Sequence, residues 1–275
     1  LSKDKKNYKS IDISTSTLSR IEFINQKPIG KSSRSNPSTY IKLYDEIRKL
    51  FANQPLAKSR KYTPGSFSFN IDGGRCSNCN GEGETKVEMQ FMADVFLECE
   101  ICKGKRFKDE ILEIKFANKN IADILNLSVD EAIIFFEKNN QITIAKKIQP
   151  LNDVGLGYVR LGQSSNTLSG GEAQRIKLAL FLSKGNTTEK TLFIFDEPTT
   201  GLHFHDINKL LNSFYALIEK GHTIICIEHN MDVIKCADWI IDLGPEGGGK
   251  GGKIVFEGTP EEMIKSKKSI TGQYL

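Results

Sequence analysis

Two cysteine pairs set the hardest constraint on this chain: CSNC (76–79) and CEIC (99–102) repeat a C-x-x-C spacing, with residues 80–98 between them. Each tight turn aims backbone amides at its sulfurs. Folding the intervening segment back brings Cys76, Cys79, Cys99 and Cys102 around one tetrahedral ion. Zinc is the default ion for four thiolates, although iron accepts the same donors. The competing reading is four unrelated buried or redox cysteines. Gly81, Gly83 and Gly104 follow the pairs and can supply the positive backbone angles such turns use. Between the pairs, VEMQFMADVFLE (87–98) alternates Val87, Met89 and Phe91, which predicts a hairpin. The other two cysteines, Cys226 and Cys236, lie in apolar surroundings and are expected in the core.

Composition narrows the class. A chain of 275 residues, 39% hydrophobic and 26% charged, can bury a sizeable core and hold two domains. Its net charge of +4 permits a polyanionic partner without demanding one. No apolar run approaches the ~18 residues that cross a bilayer, and no signal-peptide pattern opens the chain. No membrane role and a cytoplasmic location are therefore expected, where thiols serve metals or burial before disulfides. The chain opens on leucine and is expected to be a piece of something longer; residues 1–20, rich in Lys, Ser and Thr, are expected as a surface or mobile segment.

The stretch LSGGEAQR (168–175) opens the apolar-periodic run Ile176, Leu178, Ala179, Leu180, Leu182. Ser169 at the N-cap, followed by Gly170, Gly171 and Glu172, describes a helix whose first turn is bare. Its amides and the positive end of its dipole are then expected to face outward as an anion site, for which a nucleotide phosphate is the natural occupant. The plainer alternative is a Ser-capped core helix. Downstream, TLFIFDEP (191–198) is an apolar run ending in Asp196, Glu197 and a proline, and HTIICIEHN (222–230) is another ending in Glu228-His229. Phe193, Ile194 and Phe195 read as a strand buried on both faces, with the carboxylates at its C-terminal edge, where open α/β sheets bind ligands. Adjacent carboxylates there point to opposite faces and cannot share one role. Strand, acid pair, strand, histidine is the order of a nucleotide hydrolase.

Two near-misses to a phosphate loop are rejected. NQKPIGKS (25–32) has Asn25 where the first glycine of G-x-x-x-x-G-K-S/T belongs, and Pro37 interrupts the helix that must follow. In 247–254, Ile254 replaces the Ser or Thr and a strand follows. Elsewhere the patterns predict a strand over Arg20–Ile24, an Asn36-capped helix over 38–52 and a strand through Phe67 and Phe69. They also predict a helix from Ser128 to Lys138 opened by a Ser128/Glu131 capping box, a helix over 142–152, and strands over 239–243 and 253–257. In VGLGYVRLGQ (154–163), Leu156, Tyr158 and Leu161 are expected to pack. His203 and His205 lack a third ligand and read as surface residues. Lys86, Lys103, Lys105, Arg106 and Lys108 crowd the cysteine module. They are read as solvated surface, as balance for a four-thiolate centre, or as contacts to nucleic-acid phosphates.

LSGGEAQR, FIFDEPTTGLH and IEHN resemble the signature, Walker B and switch-histidine segments of ABC-type ATPases. Together with the four-cysteine module ahead of the signature and IIDLGPEGG behind it, from about Ile21 onward the chain resembles the C-terminal half of members of the UvrA (excinuclease ABC) family of bacterial nucleotide excision repair. The knuckle with its G-x-G is also similar to the zinc repeats of J-domain co-chaperones.

The resemblance implies an α/β fold: an ABC-type nucleotide-binding lobe, incomplete because Walker A is missing, with an inserted helical signature domain carrying a zinc module. Its parts would be 1–30 with a Q-loop, 31–185 with the zinc module at 75–106, and 186–275 with Walker B, D-loop and switch histidine. Gln26 would reach magnesium and the attacking water, Asp196 would hold Mg2+ through water, Glu197 would polarise the attacking water, and His229 would meet the γ-phosphate. Ser169, Gly170, Gly171 and Glu172 would close an ATP site different from the one containing Glu197, and Thr199–His203 would cross a dimer interface. Lys103, Lys105 and Arg106 would approach DNA. The implied function is damage recognition in the SOS response, coupling ATP hydrolysis to DNA binding and to loading of a UvrB-type subunit, by a homodimer on damaged double-stranded DNA. Without a Walker A lysine and amide cradle, the segment alone is expected to be inactive. The rival is a zinc-stabilised DNA-binding module with no ATPase role; a chromosome-maintenance ABC protein lacks support because no sustained heptads occur.

Overall fold

The computed structural model describes residues 18–30, 32–87, 89, 95–184, 189–244 and 252–275. Most of the Lys- and Ser-rich start, the glycine stretch 245–251 and the tip of the predicted hairpin lie outside the described residues.

After β1 (Leu18–Ile24) come α1 (Pro37–Tyr40), α2 (Tyr44–Ala52) and α3 (Pro55–Ser59). Asn36 caps α1, accepting from the Thr39 amide at 3.0 Å. One continuous helix over 38–52 does not form. Lys42 turns left-handed (φ 58°) and the Leu43 amide donates back to Ser38 O at 2.9 Å. In an unbroken helix Ile41 and Leu43 point to nearly opposite sides; the break buries both. Phe67 and Phe69 do not form a strand either. Pro64 starts a 3-10 turn, Pro64–Phe67, which a Thr63/Ser66 capping box closes. Both rings are buried; Phe69 stacks 4.7 Å from Tyr44, whose hydroxyl donates to Phe67 O at 2.7 Å.

The hairpin exists as β2 (Glu84–Val87) paired antiparallel with β3 (Val95–Glu98). Then follow α4 (Asp109–Leu112), α5 (Ile121–Asn126), α6 (Val129–Lys138) and α7 (Ile142–Asp153). The Ser128/Glu131 capping box opens α6 as the sequence predicts, and α6 packs against α7. In the loop that follows, Leu156 and Leu161 are buried, whereas Tyr158 is exposed and donates its hydroxyl to Glu172 at 2.8 Å.

The remaining elements are α8 (Gly170–Ser183), β4 (Lys190–Asp196), α9 (Phe204–Glu219), β5 (Thr223–Ile227), α10 (Met231–Ile234), β6 (Ile240–Gly244), β7 (Lys253–Gly258) and α11 (Pro260–Met263). β4 lies between β1 and β5 in a parallel sheet, while β6 and β7 pair antiparallel with each other. The register sets Phe23 beside Ile194 and Ile194 beside Ile225. α8 and α9 cover the opposite face. Phe181 of α8 meets Phe193 edge-on at 5.0 Å, Phe214 of α9 lies 4.6 Å from Phe195, and Ile207, Leu210, Phe214 and Leu217 make the buried stripe of α9.

Burial on both faces of β4 is therefore a correction. Phe193 and Phe195 are buried, but Ile21 and Phe23 are each 52% exposed on the other face, with Ile225 at 49% and Ile227 at 48%. Strand alternation hands every second side chain to the face these helices do not cover. Cys236 is also corrected: it is exposed just after α10, while Cys226 is partly buried in β5.

Gln174 joins helix to sheet. It is 1% exposed, and its Nε2 donates to Ile24 O at 2.7 Å and Asp196 O at 3.2 Å, tying α8 to the ends of β1 and β4. Gln174→Leu leaves both carbonyls without this donor. Urea unfolding is expected to show a loss of about 1–3 kcal/mol, the cost of stranding a buried polar group; an unchanged midpoint contradicts this role.

Candidate functional site

The cysteines meet as the spacing predicts. All four are buried, and their sulfurs lie within 4.8 Å of one another. Four sulfurs about 2.3 Å from one ion sit about 3.8 Å apart at tetrahedral corners. The measured Sγ separations are 3.6 Å for Cys79 and Cys102 and 4.0 Å for Cys76 and Cys99, so the donor set fits one metal ion. Backbone placement explains the fit. The Gly83 amide donates to Cys79 Sγ at 3.3 Å, and Asn78 Nδ2 to Cys99 Sγ at 3.2 Å. Gly81 and Gly83 both have φ of 83°, and a Cβ on Gly81 would lie 2.2 Å from Phe69 O, so only glycine fits. Burial alone raises the Cys99 thiol, but the Cys102 amide, Asn78 and the Ile101 amide outweigh it and bring it down to about 6. Burial pushes Cys102 well up. Of the basic residues, Lys103 and Lys105 are exposed, whereas Arg106 packs inward, its guanidinium 5.5 Å from the Phe69 ring centre. Burial lowers the Arg106 pKa.

A second constellation forms at the C-terminal edge of the parallel sheet. Gln26 follows β1, Asp196 ends β4, Glu197 comes next, and His229 follows β5. Asp196, Glu197, Gln26 and His229 are all exposed. Glu197 has a left-handed φ of 45°, which bends the chain directly after Asp196 and turns its carboxylate toward β5. Its amide donates to Ile227 O at 2.9 Å, and its Oε1 lies 3.6 Å from His229 Nε2. An open edge with two carboxylates, an imidazole and an amide can hold a hydrated cation beside an anion and take a proton from water.

The start of α8 reaches the same edge. Ser169 and Glu172 form a reciprocal capping box: Ser169 Oγ accepts from the Glu172 amide at 3.2 Å, and Glu172 Oε2 accepts from the Ser169 amide at 2.7 Å. The expected bare turn is thus partly closed by its own side chains, and the box leaves the Gly170 and Gly171 amides aside. Both glycines also serve internal packing. A Cβ on Gly170 would lie 2.9 Å from Gln26 Cβ and Oε1, and one on Gly171 2.9 Å from Thr200 O. Arg175, 3% exposed, donates from Nη2 to Tyr158 Oη at 3.4 Å, and burial lowers its pKa.

Sequence reasoning passed over Glu228. One oxygen accepts from Thr199 N at 2.9 Å and Thr199 Oγ1 at 2.6 Å, the other from the amides of His229 at 2.9 Å and Asn230 at 3.1 Å. It ties the loop after β4 to the loop bearing His229. Its position beside the histidine was the one signal in the sequence. His203 is exposed at the head of α9; the side chain of His205 lies outside the described residues.

No protein-family model matches the chain. It is 58% identical to UvrABC system protein A of Aquifex aeolicus (strain VF5) over 258 residues, covering 94% of this chain and 28% of that protein. Against UvrABC system protein A of Thermus thermophilus the identity is 55% over 258 residues, again 94% of this chain and 27% of that protein. The crystal structure of UvrA2 from Deinococcus radiodurans superposes with a TM-score of 0.86 at 46% identity, over 94% of this chain and 31% of that one. The chain thus spans little more than a quarter of the length of the curated relatives it matches. No helix among the described residues is long and apolar enough to cross a membrane.

Proposed function

This chain belongs to the UvrA family, and on that premise we propose that it is a stretch of the DNA-damage-recognition ATPase of a cytoplasmic UvrABC nucleotide excision repair system. The observation that carries the reading is the shared position of Gln26, Asp196, Glu197 and His229 at the C-terminal edge of three adjacent parallel strands, with Glu197 3.6 Å from His229 and the start of α8 seated against Gln26. Residues 1–30 and 186–275 then form an ABC-type lobe, and 31–185 a signature domain with a zinc module at 75–106. Asp196 and Gln26 would hold hydrated Mg2+, Glu197 would polarise the attacking water as general base, and His229 would meet the γ-phosphate. Cys76, Cys79, Cys99 and Cys102 would hold zinc, which would supply structural cross-linking.

No complete Walker A occurs in the sequence, so on this reading the 275-residue chain does not turn over ATP alone; the complete gene product does. The uncovered sheet face carrying Ile21, Phe23, Ile225 and Ile227 supports further polypeptide in the lobe. Ser169, Gly170, Gly171 and Glu172 would close an ATP site built around another module's Walker A, different from the one containing Glu197, and in a homodimer nucleotide state would set the grip on damaged duplex and the loading of a UvrB-type subunit. Fluorescence anisotropy of the complete gene product with lesion-bearing and intact duplexes tests this. Affinity for the lesion should change with ATP; equal affinity for both duplexes in every nucleotide state refutes the coupling. The exposed Lys103 and Lys105 beside the cysteines favour a second reading, a zinc-stabilised DNA-binding module with no ATPase role. That reading gains if DNA binding persists without any nucleotide dependence.

A further inference from the structure

Lys177 of α8 has its ammonium fully engaged beside Gln26. Its Nζ donates to Asn25 O at 2.9 Å, Asn25 Oδ1 at 2.9 Å and Lys27 O at 2.7 Å. An ammonium has three donors, and all three go to the residues on either side of Gln26. Asn25 Oδ1 also accepts from the Lys27 amide at 3.1 Å, closing the turn over Gln26. Gln26 itself stays exposed. Lys177 follows Gly170 by seven residues, close to two helical turns, so both lie on one stripe of α8. Gly170 abuts the Gln26 side chain while Lys177 holds the backbone on either side of it. Gln174, between them, ties the same stripe to Ile24 O.

We infer that Lys177 is a positioning residue for Gln26, fixing the peptide units on both sides of it so that its amide is presented at the sheet edge and any shift of α8 is passed to it. The inference rests on the ATP-site reading of Gln26. Desolvation and nearby Lys27 depress the Lys177 pKa, consistent with a partly buried cation whose donors are taken up by neutral acceptors. Methionine at this position keeps the stem and loses every donor; arginine keeps the charge but spreads its donors in a plane.

The test is steady-state ATP hydrolysis by the complete gene product as wild type, Gln26→Ala, Lys177→Met, Lys177→Arg and the Gln26→Ala/Lys177→Met double variant, each at varied ATP and Mg2+. Displacing a positioned group by about 1 Å can cost up to a hundredfold, so Lys177→Met is expected to lower kcat about tenfold with little change in the KM for ATP. It should also raise the Mg2+ concentration needed for half-maximal rate, a readout that general loosening does not move. Lys177→Arg should recover part of the rate. The double variant should match Gln26→Ala alone, because the lysine acts through the glutamine. If Gln26→Ala lowers the rate but Lys177→Met does not, or if the two losses multiply, the positioning role is overturned and the ATP-site reading survives. A silent Gln26→Ala overturns both. Should Lys177→Met fail to fold, Asn25→Ala, which removes only the Oδ1 acceptor, must give a smaller loss and Mg2+ shift of the same kind, and its silence counts equally against the inference.

Discussion

Zinc-replete expression is expected to yield one zinc ion per chain, and a strong chelator is expected to remove it and unfold residues 75–106 while the parallel sheet persists. The four cysteine side chains form their own buried cluster, separate from the main hydrophobic core. The hairpin and the second knuckle add little apolar burial of their own: Val95, Phe96, Leu97 and Ile101 are all exposed. A segment so poor in core depends on cross-links, and structural zinc contributes about 10–16 kcal/mol of apparent binding free energy at neutral pH in small zinc domains. Cys99→Ser should therefore lose the metal and abolish protection of the module from hydrogen exchange. Metal content by atomic emission and exchange by mass spectrometry measure the two effects. Protons compete with the metal for thiolate, so retention should weaken as pH falls. Burial opposes ionisation of Cys102, whereas the Cys102 amide, Asn78 and the Ile101 amide favour it at Cys99, so binding the ion displaces protons from the buried thiols to solvent. A chain that emerges metal-free from zinc-rich medium, or whose 75–106 segment exchanges identically with and without chelator, contradicts the assignment.

What the sequence makes legible here follows from the range of the forces involved. The cysteine spacing, the Ser128/Glu131 cap and the strand ending in Asp196 are local patterns, and each becomes the expected element. The break at Lys42 is not legible, because it depends on Ile41 and Leu43 both finding the core rather than on either residue's preference. Phe67 and Phe69 alternate as a strand does, yet a neighbouring Pro64 and the Thr63/Ser66 cap decide the outcome. The continuous apolar run of β4 correctly marks it as a strand but does not tell how many faces will be covered, which depends on partners elsewhere. Lys177 and Glu228 are the sharpest cases. A lysine inside a helix and a glutamate at a strand end are ordinary in sequence; only tertiary placement brings three carbonyl-type acceptors to the one and four donors to the other.

Glu197→Gln in the complete gene product is expected to lower kcat for ATP hydrolysis by about 10²–10⁴, the usual worth of a positioned general base, while ATP still binds. The substitution keeps the shape of the side chain, so its stability cost should be small. The backbone separates the two neighbouring acids. Asp196 completes the ladder with Ile227, whereas Glu197 leaves it in a left-handed conformation unusual for a residue with a side chain. That conformation costs about 1–2 kcal/mol, and bonds on both sides retain it. Glu197 N donates to Ile227 O at 2.9 Å, and Thr200 N donates to Glu197 O at 3.2 Å. The result sets one carboxylate toward β5 and His229 while the other stays at the strand end. Asp196→Asn should accordingly weaken the response to Mg2+, and Glu197→Gln should leave that response intact while stopping turnover. Rapid-quench measurement of a single turnover separates chemistry from product release, and the glutamine variant should be slow in the first turnover itself. A Glu197→Gln protein that turns over within about threefold of wild type removes proton abstraction from this residue and with it the hydrolytic role of the sheet edge.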